Sequence, residues 1–150
     1  MKLATALSER AELQRKLSEL GTRLNNNAKV QEGETPSEDP EALLAEFDSA
    51  LNRLEELMAR INLTNSRTVH EGMTVTELIA RRDCLKRRIS VLRSFLDNAS
   101  SRVDRYSKTE IRIVSTVDVA KLQKQADAAA KALRETDETI QELNWTTELL

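Results

Sequence analysis

His70, Cys84 and the acidic residues Glu55, Glu56, Asp137, Glu138, Glu142 and Glu148 are the side chains of this 150-residue sequence best equipped for chemistry. A metal centre needs several His or Cys at ligand spacing, and the chain has one of each. A Cys–His nucleophile needs both groups adjacent in the fold, with a third group orienting the imidazole. His70 falls in a predicted turn, whereas Cys84 lies about two turns into a predicted helix, and no orienting group is evident. Paired acids build di-metal sites in helical bundles through motifs that also supply histidine, and those motifs are missing. Gly21, Gly33 and Gly72 stand too far apart to form a phosphate loop. The sequence therefore offers no catalytic set, no cofactor-binding residues and no metal ligands, and it reads as a non-enzyme with no cofactor.

Binding surfaces are better represented. The stretch ARRDCLKRRISVLRS carries Arg81, Arg82, Lys86, Arg87, Arg88 and Arg93 against a single acid, Asp83. A basic stripe of Arg81, Arg82, Lys86, Arg88 and Arg93 suits nucleic-acid phosphates. These positions spread around a helix, however, and no aromatic residues interleave for base stacking. Ion pairing to the acid-rich segment of Glu41, Glu46, Asp48, Glu55 and Glu56 is the favoured use, with nucleic-acid binding as the alternative. A second cluster surrounds Arg102, Arg105 and Tyr106, together with Asp104, Lys108 and Glu110, and reads as a bonded polar corner or a pocket. Trp145 is the only tryptophan and stands in NWTTELL, five residues from Leu150. An indole joins a large apolar area to one N–H donor, which suits a clasp or interface with Asn62, Asn65, Asn144 and Thr146 as polar neighbours.

Four helical segments must position these groups. The first carries Leu3, Ala6, Arg10, Leu13, Leu17, Leu20 and Leu24 in alternating steps of three and four, a seam along one face. NNNAKVQEGETPSEDP breaks it, and Asp39 followed by Pro40 starts a second helix with the seam Leu44, Phe47, Leu51, Leu54, Met58, Ile61 and Asn65. Glu71-Gly72 predicts a small hairpin, after which Thr74 to Glu77 reads as a capping box opening the third helix. That helix aligns Leu78, Leu85, Ile89, Leu92, Leu96 and Ala99, with Arg82 as a polar intruder. Strand chemistry returns at 110–115, Ser115 to Asp118 suggests another capping box, and a fourth helix follows through Leu122, Ala126, Ala129, Leu133, Thr136, Ile140 and Leu143. Polar seam residues such as Arg10, Arg82 and Asn65 can fix register or oligomeric state.

These segments predict a mainly α fold: an up-down-up-down four-helix bundle of long antiparallel helices in a single domain, 1–150. Small β elements at about 28–32, 67–75 and 110–115 cap the bundle ends, with 28–32 pairing against 110–114. Aromatic content of 3% forces a core of Leu, Ile, Val and Ala, and three Gly with two Pro favour long helices. A net charge of −2 gives no general attraction to polyanions, and the lone Cys84 suits a reducing cytoplasm. The apolar opening is interrupted by Glu9 and Arg10, and no run approaches the roughly 20 apolar residues of a membrane span. The expected location is therefore cytoplasmic, with neither nucleic acid nor membrane the favoured partner, and the sequence leaves a small-molecule ligand open.

Several motifs in order, NAKVQEGETPSEDPEALL, RINLTN, DRYSKTEIRIVSTVDVAKLQ and QELNWTTELL, resemble the septicolysin-like family of small bacterial proteins. The resemblance spans essentially the whole chain. It implies a helical protein, transfers no catalytic residues, and suggests a homo-oligomer from a dimer up to a hexameric ring. The family name carries a pore-forming connotation, which makes membrane activity a further alternative.

Overall fold

The computed structural model describes residues 1–101 and 112–150 and is mainly helical. Among the described residues there are four helices, α1 (Leu3–Asn26), α2 (Pro40–Arg67), α3 (Val75–Ser100) and α4 (Val119–Thr146). An antiparallel pair of short strands, β1 (Val69–His70) and β2 (Met73–Thr74), separates α2 from α3. The chain is organised as two compact units, Met1–Val75 with Glu142–Leu150, and Thr76–Gln141.

In the first unit, α1 and α2 pack side by side. Asp39 caps α2 by accepting a hydrogen bond from the Glu41 amide at 3.1 Å, and Pro40 occupies the first helical position, where its missing N–H costs nothing. Three ion pairs then fix how the helices run. Glu9 meets Arg53 (2.7 Å), Lys16 meets Glu46 (2.8 Å), and Arg23 grips Glu38 through both Nε and Nη2. Residues rising along α1 pair with residues falling along α2 and the turn before it, so the two run antiparallel in one register. The α1 partners recur every seven residues, one rung for each two helical turns.

The apolar seam of α2 differs from expectation. Leu43, Ala50, Leu54, Leu57, Ile61 and Thr64 are buried, whereas Leu44, Leu51 and Met58 are 50%, 43% and 45% exposed. The second helix therefore turns a stripe one residue earlier toward the core. Ala50 is buried within this stripe, and Ala6 of α1 packs with Leu57 and Ile61 further along it. Leu3, Ala6, Leu57, Ile61 and Leu149 form the densest cluster, with Leu7 and Leu13 against it.

The segment 28–32 is irregular and leads into a turn at 31–34, rather than forming the expected strand. The Glu34 amide donates to the Gln31 carbonyl at 3.0 Å, and Gly33 adopts the left-handed φ of 88° that this turn requires. Asn27 pins the connection from both sides, donating to the Arg23 carbonyl at 2.9 Å and accepting from the Glu38 amide at 3.0 Å. The expected partner segment, 110–114, lies partly outside the described residues, and residues 112–115 form no strand. The hairpin at Glu71-Gly72 forms as expected: φ values of 48° and 83° match a tight turn with both central residues left-handed, and Val69 pairs with Thr74 and His70 with Met73.

In the second unit, Arg82 of α3 lies 4.0 Å from Asp137 of α4, and Ile89 faces the same groove as Ala130 and Leu133, an antiparallel arrangement. Leu78, Ile89, Leu122, Ala126, Ala129, Thr136 and Ile140 are buried along the predicted seams. Thr74 and Glu77 take the N-cap and third helical positions that the predicted capping box requires. The other capping box is displaced: Asp118, not Ser115, caps α4 by accepting from the Lys121 amide at 3.1 Å, while Ser115 bonds the backbone of Val117.

Two outcomes test this description. Leu57→Ala is expected to cost about 2–5 kcal/mol in denaturant unfolding, and Leu51→Ala, measured at dilute protein, no more than about 0.5 kcal/mol; equal costs would restore the other seam. Glu38, Glu46 and Glu56 are held below the ordinary carboxyl range, foremost by hydrogen bonds from Arg23, Lys16 and Arg53 respectively. Their contribution is present above the unfolded carboxyl pKa of about 4.3 and is lost as pH falls through the lower folded values. Melting temperatures followed by circular dichroism should fall between about pH 5 and pH 3, and high salt should flatten that dependence.

Candidate interaction surfaces

The C-terminal segment folds back onto the N-terminus and α2. After α4 ends at Thr146, residues 147–150 run antiparallel to residues 1–3: the Leu3 amide donates to the Thr147 carbonyl (2.9 Å) and the Leu149 amide to the Met1 carbonyl (2.8 Å). Lys2 donates to the Thr146 carbonyl at 2.9 Å and pairs with Glu148 at 2.8 Å, while the Met1 ammonium reaches the other Glu148 oxygen at 3.1 Å. Those two cations, Lys2 first, hold the Glu148 carboxyl below its ordinary range. On α2, Thr64 Oγ1 accepts from the Leu150 amide (3.0 Å) and donates to the Arg60 carbonyl, and Arg60 Nε donates to the Leu150 carbonyl (2.7 Å). Leu149 is thereby seated in the Leu3–Ala6–Leu57–Ile61 cluster.

The bonds that hold this end are made by Met1, Lys2, Leu3, Arg60, Thr64 and residues 146–150. Trp145 is 66% exposed, so the indole does not seal this end. Asn62 is exposed, Asn65 and Asn144 are half-buried, and the Thr146 hydroxyl is turned back to the Glu142 carbonyl within its own helix. Thr64, Lys2 and Glu148 were missed because the clasp has no periodic pattern. Its only signal in the sequence is a short β-prone TTELL opposite a lysine at the other end.

The basic stretch separates into faces. Arg82 lies on the seam of α3, 3.1 Å from Asp83 and within reach of Asp137. Arg81 and Arg88 are exposed one heptad apart on one side, and Lys86 and Arg93 are exposed one heptad apart on another. Arg93 borders an open groove of about 580 Å³ whose apolar floor is Ile89, Ala130 and Leu133. No continuous basic stripe therefore joins these five residues. Arg102, Arg105 and Tyr106 lie outside the described residues. His70 sits half-buried in β1 and Cys84 is exposed on α3; among the described residues no group of His, Cys, Asp or Glu is gathered to hold a metal. Arg10 is half-buried on the α1 seam, and its Nε is buried without an acceptor among the described residues.

Apolar side chains also stand exposed in rows along the helices. Leu44, Leu51 and Met58 repeat every seven residues along α2, and Val91 and Phe95 stand exposed on α3.

Removing residues 147–150, or Leu149→Ala alone, is expected to lower the melting temperature, the latter by about 2–4 kcal/mol of stability. Trp145→Ala should leave the folded monomer's stability almost unchanged. The reverse order of effects would return the indole to the clasp.

No curated protein matches the chain. A crystal structure of a functionally unknown conserved protein from Corynebacterium diphtheriae is similar to it, with 45% identity over 100% of this chain and 99% of that one and a TM-score of 0.88. A family model described as a family of unknown function, DUF6847, matches residues 10–149. The chain belongs to the DUF6847 family.

Proposed function

We propose that this is a non-enzymatic helical protein that self-assembles into a homo-oligomer through exposed helix faces. The observation carrying this reading is the heptad-spaced apolar row Leu44, Leu51 and Met58, which stands in water on a well-formed helix. Apolar side chains repeated at that interval are what a partner helix covers in a coiled-coil seam. Exposed Trp145 adds a large anchor of the kind that concentrates binding energy at interfaces. The up-down-up-down helix order, a cytosolic setting, the septicolysin-like resemblance and a stoichiometry between dimer and hexamer belong to the same proposal.

Size-exclusion chromatography with light scattering on the full chain at micromolar concentration tests it. The expected mass is a multiple of the 17.0 kDa chain, and Leu44, Leu51 and Met58 changed together to Ser should reduce it. A wild-type protein that stays monomeric refutes the reading.

A further inference from the structure

The exposed faces of α2 and α3 are opposite in charge and alike in spacing. On α2 the row Leu44, Asp48, Leu51, Glu55 and Met58 advances in steps of four and three, so it lies on one side of the helix, and all five are exposed. On α3 the row Arg81, Cys84, Arg88, Val91 and Phe95 advances in steps of three and four, also entirely exposed, with Arg87 at its edge. The α2 row alternates charge with apolar side chains throughout, and the α3 row does so from Arg81 to Val91. Asp48 and Glu55 are one heptad apart, about 10 Å along the axis, and so are Arg81 and Arg88. On α2 the opposite charge lies elsewhere, with Arg53 facing Glu9 on α1; on α3 Asp83 is beside Arg82, and one acid, Glu77, stands a turn before Arg81 at the N-terminal end of the row. Asp48, Glu55, Arg87 and Arg88 make no ion pair among the described residues, whereas Arg81 is already engaged within its own chain.

We propose that the α2 row of one copy docks against the α3 row of a second copy. This rests on the self-association reading and adds which faces meet. Charge decides against the simpler pairings. Laying α2 on α2 of another copy brings Asp48 and Glu55 against the same acids, and α3 on α3 brings arginine against arginine; like charges across a helix interface select against a partner. Crossing the two rows sets an acid against Arg88, with Arg87 beside it, while two successive apolar residues of the α2 row meet Cys84 and Val91. Because both rows repeat every seven residues, one register serves their whole length. The contact joins unlike patches, so it closes either as a two-fold pair making it twice or as a ring.

The test uses two full-length variants, Asp48→Lys with Glu55→Lys and Arg87→Glu with Arg88→Glu. All four positions are exposed, so helicity by circular dichroism should match the wild type. Each variant alone should fall to the 17.0 kDa mass in light scattering, and an equimolar mixture should recover the wild-type multiple, since reversed α2 then meets reversed α3. A wild-type monomer removes self-association itself. A wild-type oligomer that both variants retain, or variants whose mixture stays monomeric, leaves self-association standing and overturns the α2–α3 pairing.

Discussion

A helix packed against one neighbour buries one stripe of its surface and leaves every other apolar side chain in water. That constraint shapes this protein because its core materials are small. With one Trp, one Tyr and two Phe in the whole chain, contact between α1 and α2 is made by Leu, Ile and Ala, which reward close approach more than bulk. The stripe containing Ala50 takes the interior, and the larger Leu44, Leu51 and Met58 are left outside. The surplus of apolar side chains is thus a direct product of how the interior is packed.

Register is controlled from the surface. The rungs Glu9–Arg53, Lys16–Glu46 and Arg23–Glu38 are half-exposed pairs, each worth little alone, yet together they agree on a single antiparallel alignment. Slipping α2 by one turn would break all of them while also lifting Leu57 and Ile61 out of the cluster around Leu3. The C-terminal segment adds a different kind of fixation, using backbone hydrogen bonds at its edge and Leu149 as a plug.

Much of this was legible in the residues. Asp39-Pro40 marks the start of α2 because capping and the fixed φ of proline are local effects, and Glu71-Gly72 marks the hairpin for the same reason. The seams of α1, α3 and α4 follow from unambiguous periodicity. On α2 the sequence offers Leu43-Leu44, Ala50-Leu51 and Leu57-Met58, adjacent pairs that define two stripes of equal period, and hydrophobicity alone favours the bulkier one. Choosing between them requires knowing which side of α2 the rungs to Glu9 and Lys16 turn toward α1. Ser115 and Asp118 are both good caps, and only the entry path of the chain selects Asp118. The docking of residues 147–150 depends on residues more than 80 positions away, such as Thr64, and no local pattern announces it. Asn62, Asn65 and Thr64 are neighbours on α2 with equal capacity to bond, and only the fold shows that Thr64 faces the tail.

The clasp also makes the first unit discontinuous along the chain, since Glu142–Leu150 completes a body otherwise built from Met1–Val75. On a ribosome the α1–α2 hairpin can assemble early from contacts that are modest in sequence separation, but its Leu3–Leu57–Ile61 cluster stays open at one side until Leu149 emerges. Closing that gap joins residues 144 apart, as in the Lys2–Thr146 bond, so the step bears the chain-entropy penalty of a very long loop. The first unit therefore joins one part held by contacts of modest sequence separation, the α1–α2 hairpin, to another held by contacts that span nearly the whole sequence, the strand-like tail.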